Sequence, residues 1–299
     1  MVRAAAAAGG SATSAPLDCV MRPPPLSPEA RRQAPGAIRR MFEAVAPRYD
    51  RMNRILSVGL DQGWRRAALR ELDCAPGARI LDLCCGTGDL ALLLPRDLRP
   101  VGCDLTPAML EIADAKAARR RMAFPGVAGD AMRLPFASDV FDAAVVGFGI
   151  RNLPDLERGI AEIHRVLAPG AKLVILEFSR PEHSVVRLGH GAWLRLAVPG
   201  LARLAASGGE PYDYLKDSIL SFPDARALAR TLGRAGFSAV SYRHLALGTV
   251  AIHWGRRDRR TAPRDGAPGA GDGNRTTRAP EETGAARFSV SRSAASSTA

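Results

Sequence analysis

The sequence predicts an α/β fold, a mostly parallel seven-stranded sheet that finishes in an antiparallel hairpin. Three observations predict it. Strand-like apolar runs alternate with helical patterns through the middle of the chain, a glycine turn directly follows the first of those runs, and the last two runs lie too close together for a crossover helix. Ahead of the sheet, 38–49 and 52–72 read as helices, with Phe42, Val45, Ile55 and Leu56, then Trp64, Ala68 and Leu72, at helical spacings. Strands are expected over 79–84, 101–105, 122–128, 143–148 and 172–178. Between them, 107–120 turns Met109, Leu110 and Ala113 inward, and 155–167 does the same with Leu156, Ile160, Ile163 and Leu167. Such alternation specifies parallel strands with helices on both faces. The runs 237–245 and 249–255, joined by Ala246, Leu247 and Gly248, complete the sheet as a hairpin.

The glycine turn carries the first chemical signal. In ILDLCCGTGDL, Gly86 and Gly88 allow a sharp turn and a close ligand approach, and a helix starting near Thr87 or Asp89 would aim its free N–H groups at that ligand. Asp104 follows Gly88 by 16 positions, at the end of the next strand, where a carboxylate accepts both hydroxyls of a ribose. Gly86, Gly88 and Ala91 also satisfy the looser dinucleotide fingerprint G-x-G-x-x-G/A. Asp82 argues against a dinucleotide, since it repels a pyrophosphate but meets an ammonium group or orients the turn that does. S-adenosylmethionine therefore fits better than a nicotinamide cofactor.

Composition narrows the class. The chain has 299 residues and a formal charge of +12, but residues 1–40 and 255–299 each carry +4 of it. Those ends are rich in Ala, Gly, Pro, Ser and Arg and poor in large apolar residues, so 1–36 and 258–299 are expected to be disordered around one domain at 37–257. The arginines lack interleaved aromatics, which argues against specific nucleic-acid binding. Five cysteines form no C-x-x-C pair and read as reduced core thiols of a cytoplasmic protein. Arg187, Arg195 and Arg203 cut the longest apolar stretches, so no membrane-spanning helix is expected, and no His/Asp/Cys cluster has metal spacing. The acid-poor N-terminus is consistent with a transit peptide or with a start at Met21.

Four segments carry a resemblance: YDRMNRILSVGLDQGWR (49–65), LDLCCGTGDL (81–90), GDAMRLPFASDVFDAAVVGFGIRNLPD (129–155) and RVLAPGAKLVILEFSRP (165–181). The second is common to many methyltransferases, whereas the first and the FGIRN of the third are specific. Over about 38–257 the chain resembles the quinone-ring C-methyltransferases of menaquinone and ubiquinone biosynthesis. The resemblance implies a class I, Rossmann-like fold and S-adenosylmethionine as methyl donor. It implies adenosyl-ligand contacts at Thr87, Asp104, Asp130 and Ala131, beside Asp82, Gly86 and Gly88 of the turn. It implies a polyprenylated quinol as substrate, with peripheral contact to the cytoplasmic face of a membrane, and leaves benzoquinol, naphthoquinol and homo-oligomerisation open. Three positions depart from the family pattern: Asp61 stands where many members have His, Gly147 replaces a serine, and Ala171 replaces the second glycine of RVLKPGG.

Methylation of an aromatic carbon needs the ring placed in line with the methyl group and a base or cation near the ring oxygen. Arg151 and Asn152, just past the fourth strand, are the expected catalytic residues because ligands bind at the carboxyl edge of a parallel sheet. Tyr49, Asp50 and Asn53 are expected to cover the substrate, with Tyr49 the catalytic candidate among them. Glu177 reads as structural, and His164 as a surface imidazole. The apolar, Trp-bearing stretch 185–206 with basic flanks reads as a lipid-facing segment, a roof over a long apolar pocket, or a core helix. Methyltransfer to another lipid or small molecule, or ligand binding without turnover in an assembly, are the alternative readings.

Overall fold

The structure is a computed structural model and describes residues 35–181, 183–193 and 210–258. The expected tails, and residues 194–206 of the apolar stretch, lie outside the described residues. Seven strands form one sheet in the order β3-β2-β1-β4-β5-β7-β6: β1 (Arg79–Leu83), β2 (Arg99–Asp104), β3 (Gly126–Ala128), β4 (Phe141–Gly147), β5 (Leu167–Phe178), β6 (Phe237–Leu245) and β7 (Val250–Arg257). Every pairing is parallel except the two made by β7. The hairpin turns at Ala246–Gly248, as expected.

Alternation along β1 sends Ile80 to one face of the sheet and Leu81 and Leu83 to the other. On the first face, Ile80, Val145 and Val174 pack against Ala67 and Ala68 of α3 (Asp61–Leu69). Across the sheet, Leu81, Leu83 and Val146 meet Ile160 and Ile163 of α5 (Leu156–Val166) and Leu228 and Leu232 of α8 (Ala225–Arg234). Asp155 caps α5 by accepting a hydrogen bond from the Arg158 N–H at 3.0 Å. The remaining helices are α1 (Pro35–Val45), α2 (Tyr49–Leu56), α4 (Pro107–Arg119), α6 (Ser184–Ala192) and α7 (Glu210–Ser221).

Several elements differ from expectation, each for a local reason. The helix expected over 52–72 breaks between α2 and α3, where Val58 and Gly59 take φ of +52° and +77° and the Gly59 N–H closes the helix end on Arg54 O at 2.8 Å. The helix expected over 38–49 stops at Val45, because Pro47 brings in a 3-10 turn, Ala46–Arg48. No α-helix follows the glycine turn. Leu94 is extended ahead of Pro95, which leaves only the 3-10 turn Ala91–Leu93. The strand expected over 122–128 shrinks to Gly126–Ala128, while β5 starts at Leu167 and takes the last residue of the helix expected over 155–167.

One buried histidine gives a pH-dependent prediction. His253 on β7 is nearly sealed from solvent, its Nε2–H donates to Ala225 O at 2.9 Å, and its Nδ1 has no partner. Burial is the main cause that holds its pKa down to about 4, against 6.5 for a free imidazole. The unfolded chain therefore takes up a proton before the folded one does. Stability from this site is full above pH 6.5 and falls by about 3 kcal/mol as pH drops through 4. Asp82, raised to about 7 by burial, acts with the opposite sign, since its penalty is relieved on acidification. The stability difference between wild type and His253→Gln, measured by urea unfolding, isolates the histidine. It should grow in favour of wild type from pH 4 to 6.5, and a flat difference would show that the ring titrates freely.

Candidate active site

The turn after β1 is built from three left-handed residues, Cys84 (φ +53°), Gly86 (+53°) and Gly88 (+77°). Asp104 at the end of β2 holds it. One carboxylate oxygen accepts the Gly86 N–H at 2.8 Å and the other the Thr106 N–H at 2.9 Å. Asp130 accepts the Met132 N–H at 2.8 Å in the loop after β3. Asp104, Asp130, Ala131, Gly86 and Asn152 all line a narrow cavity of about 80 Å³ at the carboxyl ends of the strands. Ile38 and Phe42 from α1 and Tyr49 from α2 close over it.

Beside it opens a much larger cavity of about 500 Å³. Leu56 of α2 and Trp64 of α3 form one wall, Phe148 and Phe178 lie at the sheet edge, and Leu215 and Ile219 of α7 complete the apolar lining. Val186, Gly189 and Trp193 of the 185–206 stretch also line it, so the part of that stretch within the described residues roofs a cavity rather than entering the core. Tyr49 and Phe148 border both cavities.

Arg151 sits in the large cavity, buried, with its guanidinium 5.2 Å above the Phe178 ring. Its Nη1 donates to Glu177 Oε1 at 2.9 Å and to Phe148 O, and its Nε donates to Ser218 Oγ at 3.3 Å. Glu177, which the sequence reads as structural with no partner assigned, forms an ion pair with Arg151. Asn152 faces the narrow cavity and accepts a hydrogen bond from the Tyr214 hydroxyl at 2.9 Å. Burial pushes the Tyr49 phenol up, opposed by the Arg151 charge, a hydrogen bond with Asn53, and the Arg65 charge.

Three expected ligand residues lie elsewhere. Thr87 lines neither cavity, because its hydroxyl donates to Asp50 Oδ1 at 2.5 Å and accepts from Lys116 Nζ at 3.2 Å. That same cluster draws Asp50 away from the cavities, leaving Tyr49 and Asn53 to cover the large one. Gly88 serves packing, since a Cβ there would come 3.1 Å from the Ala113 Cβ of α4. Asp82 is buried beneath the turn, where one oxygen accepts the Ala91 N–H at 3.0 Å and the other has no hydrogen-bond partner. It orients the turn, the second of the roles expected for it. A Cβ at Gly147 would lie 2.3 Å from the Leu90 Cδ1, so the Leu90 side chain would have to shift to admit one. His164 packs edge-on against Phe237, with ring centroids 5.2 Å apart, and lines neither cavity.

Sequence reasoning missed the aromatic pair Phe148 and Phe178 and the pair Asp61 and Arg65, all of which line the large cavity. The spacing of Asp61 and Arg65, one helical turn apart in a segment that carried the resemblance, was the available signal.

A parallel sheet closed by an antiparallel hairpin, with a carboxylate-lined cleft at the strand ends, defines the class I methyltransferase fold. The chain belongs to the ubiE/COQ5 methyltransferase family, whose sequence pattern matches residues 29–257. Membership makes S-adenosylmethionine the methyl donor. The chain is 44% identical over 222 residues to a demethylmenaquinone methyltransferase of Thermus thermophilus, covering 73% of this chain and 100% of that one. A demethylmenaquinone methyltransferase of Clavibacter sepedonicus is 41% identical over 240 residues, 78% of this chain and 96% of its own length. Among solved structures, a SAM-dependent methyltransferase of Thermotoga maritima, described as a possible histamine N-methyltransferase, shares the fold. Its TM-score is 0.54 at 20% identity, covering 74% of this chain and 100% of that one.

The thiols at the turn are predicted to be inert. Burial pushes Cys84 and Cys85 well above the ordinary thiol range and Cys103 up to about 12. Iodoacetamide at pH 8 should label these three at least about a hundredfold more slowly in the native protein than in urea. Mass spectrometry of timed samples reads this directly, and equal rates would contradict the burial described.

Proposed function

We propose that the protein transfers the methyl group of S-adenosylmethionine to a ring carbon of a polyprenylated demethylmenaquinol. The observation that carries this reading is the pair of adjoining cavities, one narrow and lined by carboxylates, the other large and mostly apolar, divided by Tyr49 and Phe148. The names of the relatives support a naphthoquinol over a benzoquinol.

The residues present fit the donor. Asp104 and Asp130 present acceptors for ribose hydroxyls and an adenine amine, and Ala131 and Gly86 add small surfaces. When bound, S-adenosylmethionine supplies an electrophilic methyl group on a good leaving group. Ile38 and Phe42 of α1 would cover the donor on this side. In the large cavity the Arg151 guanidinium faces charge that develops on a ring oxygen as the quinol hydroxyl loses its proton, which enriches the neighbouring carbon. Methyl transfer to that carbon would release S-adenosylhomocysteine, and the ring proton then displaced would restore the hydroxyl, so that one proton in all passes to solvent. Tyr49 and Asn152 hold the boundary between the two cavities.

No helix among the described residues is long and apolar enough to cross a membrane. Val58, Leu60 and Leu247 line the large cavity yet are largely exposed, and Val185 and Leu188 of α6 are exposed nearby in sequence to its roof. In this reading the apolar rim meets the lipid surface from the cytoplasmic side and the prenyl tail leaves through it. The catalytic domain spans 37–257.

Methylation of a short-tailed demethylmenaquinol under anaerobic conditions tests the whole reading, and absence of ring-methylated product would overturn it. Within the site, Asp104→Ala should weaken S-adenosylmethionine binding about 10- to 100-fold, because charge-assisted acceptors of this kind are worth about 1.5 to 3 kcal/mol. Unchanged affinity by calorimetry removes Asp104 from the donor site. For Arg151, substitution alone strands a buried Glu177, so the informative variant is Arg151→Gln with Glu177→Gln. It should fold, bind the donor normally, and turn over about 10² more slowly. Wild-type turnover would make the arginine purely structural.

A further inference from the structure

The large cavity contains a second buried cation, to which the chemistry above gives no task. Arg65 on α3 is 6% exposed and lines the cavity; its Nε is sealed from the cavity and makes no hydrogen bond, and its Nη nitrogens form none among the described residues. Asp61, one turn earlier and 3% exposed, braces it at 3.6 Å from Nε. Asp61 is itself held by hydrogen bonds from Ser57 Oγ and Gln62 Nε2, both at 3.1 Å, and by Arg54 Nε at 3.4 Å. The carboxylate is therefore well satisfied and fixed, whereas the guanidinium keeps a donor unused. An unused donor on a buried cation is destabilising unless something else completes it.

Its position says what that would be. The Arg65 guanidinium lies 5.4 Å above the Phe148 ring, Phe148 and Phe178 meet with centroids 4.9 Å apart, and Arg151 lies 5.2 Å above Phe178. One cation thus stands over each member of an aromatic pair at the edge of the same cavity. A Cβ added at Gly147 would lie 3.4 Å from Arg65 Nη1, ordinary contact distance, which places that nitrogen at the carboxyl end of β4. Both positive charges act on the Tyr49 hydroxyl, Arg151 more strongly than Arg65.

We propose that Arg65, braced by Asp61, binds a second oxygen of the substrate ring while Arg151 serves the first, so that the cavity selects rings carrying two para oxygens. For the identity of the ring this rests on the quinol reading above. Arg65 is then a substrate-binding residue and Asp61 a positioning residue that acts through it.

The test uses the full-length protein, held anaerobically, and two probes that differ by one hydroxyl, 1,4-dihydroxynaphthalene and 1-naphthol. Wild type should bind the diol at least about tenfold more tightly, because a site built to bond an oxygen penalises its absence. Arg65→Met should erase that preference while S-adenosylmethionine affinity holds. Arg65→Lys, which keeps the charge but not the planar fork, should retain part of it. Asp61→Asn should reduce it and raise the KM for short-tailed demethylmenaquinol more than it lowers kcat. Melting temperatures accompany every variant, and should Arg65→Met fail to fold, wild type and Arg65→Lys decide. Equal binding of the two probes by wild type, or a folded Arg65 variant with full preference, overturns the proposal even if methylation proceeds. An Arg65-dependent preference without any methylation supports the two-oxygen site and overturns the quinol reading instead.

Discussion

The buried Arg151–Glu177 ion pair at the carboxyl edge of the sheet sets the geometry of everything around it. Glu177, next to last in β5, accepts the Phe178 N–H at 2.9 Å and the Arg151 N–H at 3.3 Å, while Arg151 reaches Phe148 O and Ser218 of α7. Removing these charges from water is costly, and their mutual attraction offsets that only because the remaining donors and acceptors are also engaged. The pair therefore specifies an arrangement more than it adds stability. Breaking it from one side would leave an uncompensated charge, at about 3 to 5 kcal/mol. Phe148 illustrates the dependence. It holds φ at +57°, a strained conformation for an aromatic residue, and its carbonyl is tied down by Arg151. That strain turns its ring into the divider between the two cavities.

What could be read from the sequence follows the range of the physics involved. Periodicity and glycine placement are local, so the sheet, the turn at Gly86 and the strand-end position of Asp104 were legible, as were Arg151 and Asn152 just beyond β4. Thr87 was not, because its fate depends on Asp50 and Lys116, 37 and 29 positions away, which hold it in an ion cluster. Gly88 looked like a ligand glycine but answers to Ala113. The missing helix after the turn was in principle readable, since Pro95 and the extended Leu94 before it leave no length for one. Arg65 was hidden for a different reason. Its spacing from Asp61 was visible, but spacing alone does not separate a surface pair at i and i+4 from one sealed beneath an aromatic ring.

Burial of charge recurs on both sides of the divider. On the donor side it raises Asp82 to about 7, well above the usual carboxylate range, beneath a turn that Asp82 braces through the Ala91 N–H. On the substrate side it concentrates two guanidinium groups in a cavity otherwise walled by Leu56, Trp64, Leu215 and Ile219. Low polarity around these groups strengthens each of their interactions with an incoming oxygen, because little water competes.

That arrangement bears on which atom of the ring would react. A quinolate carries nucleophilic density on oxygen and on the adjacent carbon, and in open solution both positions compete for an alkylating agent. A guanidinium donating to the oxygen occupies its lone pairs with charge-assisted hydrogen bonds, so attack from oxygen requires breaking them, while attack from carbon does not. In the proposed reading, cations at the ring oxygens therefore do two things with one contact. They favour loss of the hydroxyl proton, and they divert the resulting density to carbon. The same contact fixes the ring in the cavity, with Tyr49 and Phe148 between it and the donor side. In that reading the ring position presented past Tyr49 and Phe148 is the one that meets the donor, which sets where methylation falls.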